Sequence, residues 1–127
     1  MHKGLIIGIS LFIIVILTSL TGQIYLNHTV VELNKYLISA QKHIKENDIE
    51  ATKADIKKFE AGFQKSGPIL KLFIRHQELE VITFNSSPLN SLIDAGLIGE
   101  FIVECDKLSA QLDHIKKSDE ITLENIV

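Results

Sequence analysis

Residues 26–44 read LNHTVVELNKYLISAQKHI, and the spacing of their apolar residues gives the clearest indication of the fold. Its apolar residues recur at alternating steps of four and three, the spacing of a helix that buries one side in a heptad pattern. The members of this seam are Leu26, Val30, Leu33, Leu37, Ala40 and Ile44. The spacing predicts an amphipathic helix whose apolar side packs against other helices.

A segment of different character precedes this helix. Residues 4–22 read GLIIGISLFIIVILTSLTG and contain no charged residue. At a rise of 1.5 Å per residue the segment spans about 28 Å, close to the roughly 30 Å hydrocarbon core of a bilayer. We expect a transmembrane helix here. Because residues 23–45 continue the helical periodicity without a break, the helix should run from the membrane directly into the domain.

A cleaved signal peptide is the alternative reading of the same segment. Cleavage requires small residues at positions −3 and −1, and Ser19 and Thr21 match this poorly. We therefore favour an uncleaved signal anchor. Lys3 and the terminal amino group favour a cytoplasmic N-terminus, which places the helical domain outside the cell membrane.

Breaks in the pattern divide the remainder into further helices. Asn47 and Glu50 form a plausible capping box after the first helix. Residues 66–68, Ser-Gly-Pro, predict a second break with helix three starting at Pro68. Pro88 should kink or split helix three, and residues 95–96, Ala-Gly, predict the last turn.

Apolar seams mark the packed sides of these helices. Residues 69–84 are apolar on much of the helix circumference, so helix three should be the most buried. The seam positions are Ile49, Ile56, Phe59 and Phe63 in helix two, Leu72, Leu79, Ile82, Leu89 and Ile93 in helix three, and Ile98, Phe101, Cys105, Leu108, Leu112 and Ile115 in helix four.

The predicted fold is all-α. An N-terminal transmembrane helix continues into an antiparallel helical-hairpin bundle of about four helices, either an up-and-down bundle or tetratricopeptide-like pairs. The predicted divisions are residues 1–26 for the anchor, 27–117 for the helical domain and 118–127 for a C-terminal tail.

Composition excludes some function classes. The net charge is −3, and the basic residues are not concentrated as nucleic-acid binding requires. Lys53, Lys57 and Lys58 form a basic patch, and residues 100–106 carry an acidic patch of Glu100, Glu104 and Asp106. These are either solvated faces or docking faces. The single cysteine, Cys105, cannot form an intrachain disulfide, and within an apolar seam it acts as a small hydrophobe.

One pair of residues invites a metal-site hypothesis. His76 and Glu80 lie four residues apart on one helix side, with Glu78 nearby, and could supply two ligands to Zn²⁺. A structural zinc site usually needs four ligands, so a partly buried histidine bonded to a carboxylate is the favoured reading, and we predict no metal or cofactor. Nucleophile, metalloprotease and phosphate-loop motifs do not occur, so we expect no enzyme.

Five short stretches, in their order along the chain, resemble a family of short bacterial proteins known as domain of unknown function 4363. They are residues 23–27 (QIYLN), 47–50 (NDIE), 74–80 (IRHQELE), 112–115 (LDHI) and 123–126 (LENI). Pro88 departs from the plainly helical pattern of such proteins. The resemblance implies a membrane-anchored helical domain and supplies no activity.

These features together predict a role in the cell envelope. We expect a non-enzymatic interaction or accessory module whose partners are the lipid bilayer and a multi-span membrane protein. The alternative is a ligand-sensing or metal-binding domain that uses His76 and Glu80.

Overall fold

The computed structural model describes residues 2–126, with side chains described for residues 2–117. Within these residues the chain is helical and contains no strand, which confirms the predicted all-α class. The helices are α1 (His2–Lys45), α2 (Ile49–Phe73), α3 (His76–Ser86), α4 (Leu89–Asp94) and α5 (Ile98–Ile126). As predicted, α1 is one unbroken helix, 44 residues long. Helix α5 continues through residues 118–126, where the sequence analysis places a tail.

The helices form an up-and-down bundle. Helix α1 packs against both α2 and α5, while α3 and α4 pack against α5. The Gln41 side chain donates to the Asp106 carboxylate at 2.8 Å, and Ser109 donates to Asn34 at 2.6 Å. Because residue numbers fall along α1 as they rise along α5, the two helices are antiparallel. The first and last helices are thus neighbours, which closes a bundle instead of stacking two tetratricopeptide-like pairs.

The core forms along the seam predicted for α1. All six seam residues of α1 are buried, from Leu26 to Ile44. Each fully buried leucine or isoleucine contributes about 1.5–3 kcal/mol relative to an exposed one. The seam packs within one cluster of buried residues from the other helices, which includes Ile56, Phe59, Leu70, Leu79, Ile82, Leu89, Ile93, Phe101, Cys105, Leu108, Leu112 and Ile115.

The turn between α1 and α2 corrects the predicted cap by one residue. Asn47 adopts a left-handed conformation, with φ of 63°, which asparagine tolerates better than most residues. Asp48 is the N-cap of α2, and its carboxylate accepts a hydrogen bond from the Ala51 N–H at 3.1 Å. Asn47 therefore makes the turn, and Asp48 makes the cap.

The predicted break at residues 66–68 is wrong. Helix α2 passes through Pro68 and ends at Phe73. Pro68 is exposed, so the carbonyl that loses its hydrogen-bond partner can reach water. The buried side chain of Leu70 holds the last turns of α2 against the core. The chain instead breaks at Ile74 and Arg75, which both have extended backbone conformations.

Helix three is also less buried than predicted. Leu72, at the end of α2, and Phe84, on α3, are each 77% exposed, and Ile69 and Val81 are exposed as well. The prediction for Pro88 is confirmed in its stronger form, because α3 ends at Ser86 and α4 starts at Leu89. The last turn is confirmed too, since Gly96 has a φ of 72°, a conformation that favours glycine.

Candidate functional site

The two halves of α1 differ sharply in their surroundings. Every side chain from residue 2 to residue 18 is exposed, and Gly22 is the first buried residue of the helix. The exposed half contains the apolar segment, so large apolar side chains lie uncovered on every side of it. Among residues 2–126, α1 is the one helix with the length and apolar composition to cross a membrane.

Gly22 marks the lower end of the bundle. The ring of Phe73 lies so close to Gly22 that a Cβ atom added there would collide with it. A side chain at position 22 would therefore displace the Phe73 ring from its place against α1. The close approach places the turn between α2 and α3 beside the point where the apolar segment of α1 ends.

A shallow groove runs between α2 and α3 on the outside of the bundle. It encloses about 460 Å³, and we call it the α2–α3 groove. Its apolar lining residues are Phe63, Leu79 and Phe84, and its ionisable ones are Lys71, His76 and Glu80; Gly67, Thr83 and Ser87 complete the lining. Because Phe84 is largely exposed, the groove presents an aromatic ring to any partner.

The structure brings His76 and Glu80 together at the edge of this groove. The His76 Nε2 atom lies 2.9 Å from the Glu80 Oε1 atom, so the histidine and the carboxylate are paired as predicted. Both side chains are exposed, however, and the predicted partial burial of His76 is wrong. Glu78 instead lines a separate groove between α3 and α5 with His114. No group of three or more potential metal ligands occurs among the described residues.

A polar cluster that was not predicted from the sequence lies between α1 and α2. The Asp55 carboxylate is nearly buried, and its Oδ2 atom accepts a hydrogen bond from Ser39 at 2.8 Å. The Nδ1 atom of His43 lies 2.6 Å from the same oxygen. The signal was present in the sequence, since His43 and Asp55 flank the α1–α2 turn and each precedes a seam isoleucine. An antiparallel hairpin brings such positions together.

The residue types of this cluster match a serine hydrolase, but the arrangement does not. In a catalytic triad the serine donates to one imidazole nitrogen while the other nitrogen bonds the carboxylate. Here Ser39 and the Nδ1 atom of His43 both point at one Asp55 oxygen. The geometry instead ties α1 to α2, and it supplies the hydrogen bonds that a buried carboxylate needs.

Cys105 lies fully buried in the core, as the apolar seam of α5 predicts. Burial, together with the nearby negative charges of Asp106 and Glu104, raises the pKa of its thiol to about 12. The thiol is therefore neutral at physiological pH. Since the thiolate is the reactive form, the structure gives Cys105 a packing role.

The two predicted charge patches are partly used within the bundle. Lys53 forms an ion pair with Asp94, which links α2 to α4. In the acidic patch Asp106 accepts the hydrogen bond from Gln41 that joins α1 to α5, while Glu104 pairs with Lys107 at 3.4 Å. The exposed pair Lys57 and Lys58 forms no ion pair within the described part of the chain, so these two residues leave that side of α2 basic.

Comparison with known proteins gives one match. A family model described as a domain of unknown function, DUF4363, matches residues 20–126. The matched range covers the whole bundle and only the last residues of the apolar segment. No curated protein and no solved structure matches the chain.

Proposed function

This chain belongs to the DUF4363 family, whose model spans residues 20–126, and from that premise we propose that it is a membrane-anchored, non-enzymatic interaction module for another membrane protein of the cell envelope. Residues 4–22 form its single-pass anchor. The N-terminus lies in the cytoplasm, as the charge of Lys3 favours, and the bundle lies outside.

The α2–α3 groove is the observation that carries this proposal. Phe84 is 77% exposed, although Ile82, only two residues away on the same helix, is buried. Water around a large exposed aromatic ring is released when a partner covers it, so exposed apolar patches often mark interaction sites. Lys71, His76 and Glu80 around the groove can set the orientation of the partner.

Anchoring supports docking on another membrane protein in particular. Helix α1 has no break between its apolar half and the bundle, so the groove is held in a fixed relation to the anchor helix. Two proteins confined to one membrane have a raised effective concentration, and a small interface then suffices for binding. The groove is small, which fits a contact of this kind.

Photocrosslinking from the groove tests the proposal. A photoreactive amino acid replaces Phe84 in the full chain, and the control replaces Val103, an exposed residue of α5. In native membranes we expect position 84 to form a discrete adduct with one membrane protein and position 103 to form none. The adduct should disappear when a charged residue is introduced beside the groove by Thr83→Lys.

Two results would count against the proposal. One is that the crosslinker at position 84 forms adducts only with lipid or with another copy of this chain. The other is a soluble fragment without residues 1–26 that restores the phenotype of a deletion strain as well as the full chain does. Stoichiometric zinc in the purified chain, lost in His76→Ala, would favour the metal-binding alternative.

A further inference from the structure

The last turns of α2 and the break that follows them carry both apolar and basic side chains that are exposed. Ile69 and Leu72 are apolar and exposed, and Lys71 and Arg75 are basic and exposed. We call these four residues the foot. Neither Lys71 nor Arg75 forms an ion pair with another described residue. The foot therefore combines uncovered apolar surface with two uncompensated positive charges.

The position of the foot relative to the anchor can be derived from one contact. Phe73 lies against Gly22, and Gly22 ends the 19-residue apolar segment that matches the hydrocarbon thickness. Lys71, Leu72 and Arg75 lie within two residues of Phe73, and so within about 7 Å of that level. Ile69 lies four residues from Phe73 along α2, or about 6 Å. The headgroup layer of a bilayer extends roughly 5–7 Å beyond the hydrocarbon on each side.

We infer that the foot is a second membrane-contacting element, which inserts Leu72 and Ile69 into the interfacial layer and binds anionic phospholipid headgroups through Lys71 and Arg75. The inference rests on the anchoring in the proposed function. Apolar side chains flanked by cations suit this layer, since the apolar part reaches toward the acyl chains and the cations stay with the phosphates.

The contact would fix the tilt of the bundle. A single helix leaves the domain free to lean toward or away from the membrane, because tilt is set by neighbouring contacts and interfacial anchors. A second contact at the foot, where α2 ends and α3 begins, removes much of that freedom. The α2–α3 groove starts next to the foot, because Lys71 belongs to both. The groove would therefore face a partner at a constant height above the bilayer.

The test uses an environment-sensitive fluorophore on single cysteines in the full chain. The background is Cys105→Ala, and the labelled positions are Leu72→Cys, Leu20→Cys in the anchor and Val103→Cys in α5, reconstituted in vesicles of phosphatidylcholine and phosphatidylglycerol. In the bundle alone Leu72 is the most exposed of the three, at 77% against 48% and 51%. Without membrane contact, position 72 would therefore give the most water-like emission.

We expect the emission at position 72 to be blue-shifted from that at position 103 and to lie between positions 103 and 20. A lipid-like signal at position 20 together with a water-like signal at position 72 would overturn the inference and leave the anchor in place. A water-like signal at position 20 would overturn both. If Cys105→Ala unfolds the bundle, the native chain with its unreactive buried thiol serves as background.

The headgroup contact has its own matched control. Lys71→Gln with Arg75→Gln removes the two charges of the foot, and Lys57→Gln with Lys58→Gln removes two exposed charges higher on α2. In the labelled chain without further changes, phosphatidylglycerol should increase the blue shift at position 72. The increase should remain in the Lys57→Gln, Lys58→Gln variant and should be lost in the Lys71→Gln, Arg75→Gln variant. Equal responses of both variants would show that Lys71 and Arg75 do not bind the headgroups.

Discussion

The lower half of α1, residues 2–20, and its upper half, residues 22–45, belong to one helix but have different surroundings. Residues 4–20 carry no charge, are largely apolar on every side and lie outside the packed core, whereas residues 22–45 bury one seam and expose the remainder. The change occurs at Gly22, within one turn. A uniform apolar surface suits a uniform solvent such as lipid, while an apolar seam suits a packed neighbour on one side.

This difference indicates which residues of α1 contribute to the stability of the bundle. An apolar residue of the lower half can be exchanged for another without effect on the packing, because no neighbouring helix touches it. A seam residue of the upper half is buried where α1 packs against α2 and α5. The following predictions use pairs of substitutions in the full chain in detergent micelles. Unfolding of the bundle is followed by the fluorescence of the two tyrosines, Tyr25 and Tyr36.

The largest effect should come from one leucine-to-alanine exchange made in each half. Leu37 is fully buried and Leu11 is exposed. Leu37→Ala should lower the free energy of unfolding by about 2–5 kcal/mol, since it removes buried methyl groups and leaves a cavity. Leu11→Ala should change it by no more than about 0.5 kcal/mol. Equal losses would mean that the lower half also packs on the bundle.

A smaller effect should come from the polar cluster that joins the upper half to α2. Asp55→Ala leaves Ser39 and His43 without their acceptor, and we expect a loss of about 1–3 kcal/mol. Asp94→Ala breaks only the exposed ion pair with Lys53 and should cost at most about 1 kcal/mol. The comparison requires urea unfolding curves with equal slopes. A cost for Asp55→Ala no greater than that for Asp94→Ala would remove the cluster from the interactions that hold the hairpin.

The boundary itself can be tested with two glycines of α1. Gly22→Leu should force the Phe73 ring away and cost about 1–2 kcal/mol, toward the lower end of the range for overpacking, because the displaced ring can rotate. A Cβ atom added at Gly8 meets nothing within 4 Å, so Gly8→Leu should not destabilise the bundle. If Gly22→Leu leaves the unfolding curve unchanged, Phe73 does not hold the turn against α1.

The sequence predicted the regions where one pattern dominates. The seam of α1 is confirmed, and so is that of α5 from Phe101 onward, because the heptad spacing extends over several turns in both helices. Ile98, at the start of α5, is exposed instead. The break after Lys65 was wrong because Gly67 and Pro68 disfavour a helix locally, while the buried Leu70 favours its continuation. The actual break at Ile74 and Arg75 contains no glycine or proline, so the local sequence gives no signal that predicts it.

Exposure was harder to predict for helix three than for any other helix. Its apolar residues surround the helix axis, so periodicity cannot select the buried side, and the structure exposes Leu72 and Phe84. The same ambiguity hid the α2–α3 groove and the foot. The cluster at Asp55 escaped because its members come from two helices, and only the antiparallel hairpin brings them together.

In the proposed function, the exposed apolar half of α1 remains attached to the bundle as a membrane anchor. The most direct test of this attachment is the intact mass of the protein recovered from membranes after washing with alkaline carbonate. The account predicts that the chain stays in the membrane pellet and retains its N-terminal residues through the apolar segment. A chain whose N-terminus begins near Gly22, or that is released by the wash, would contradict it.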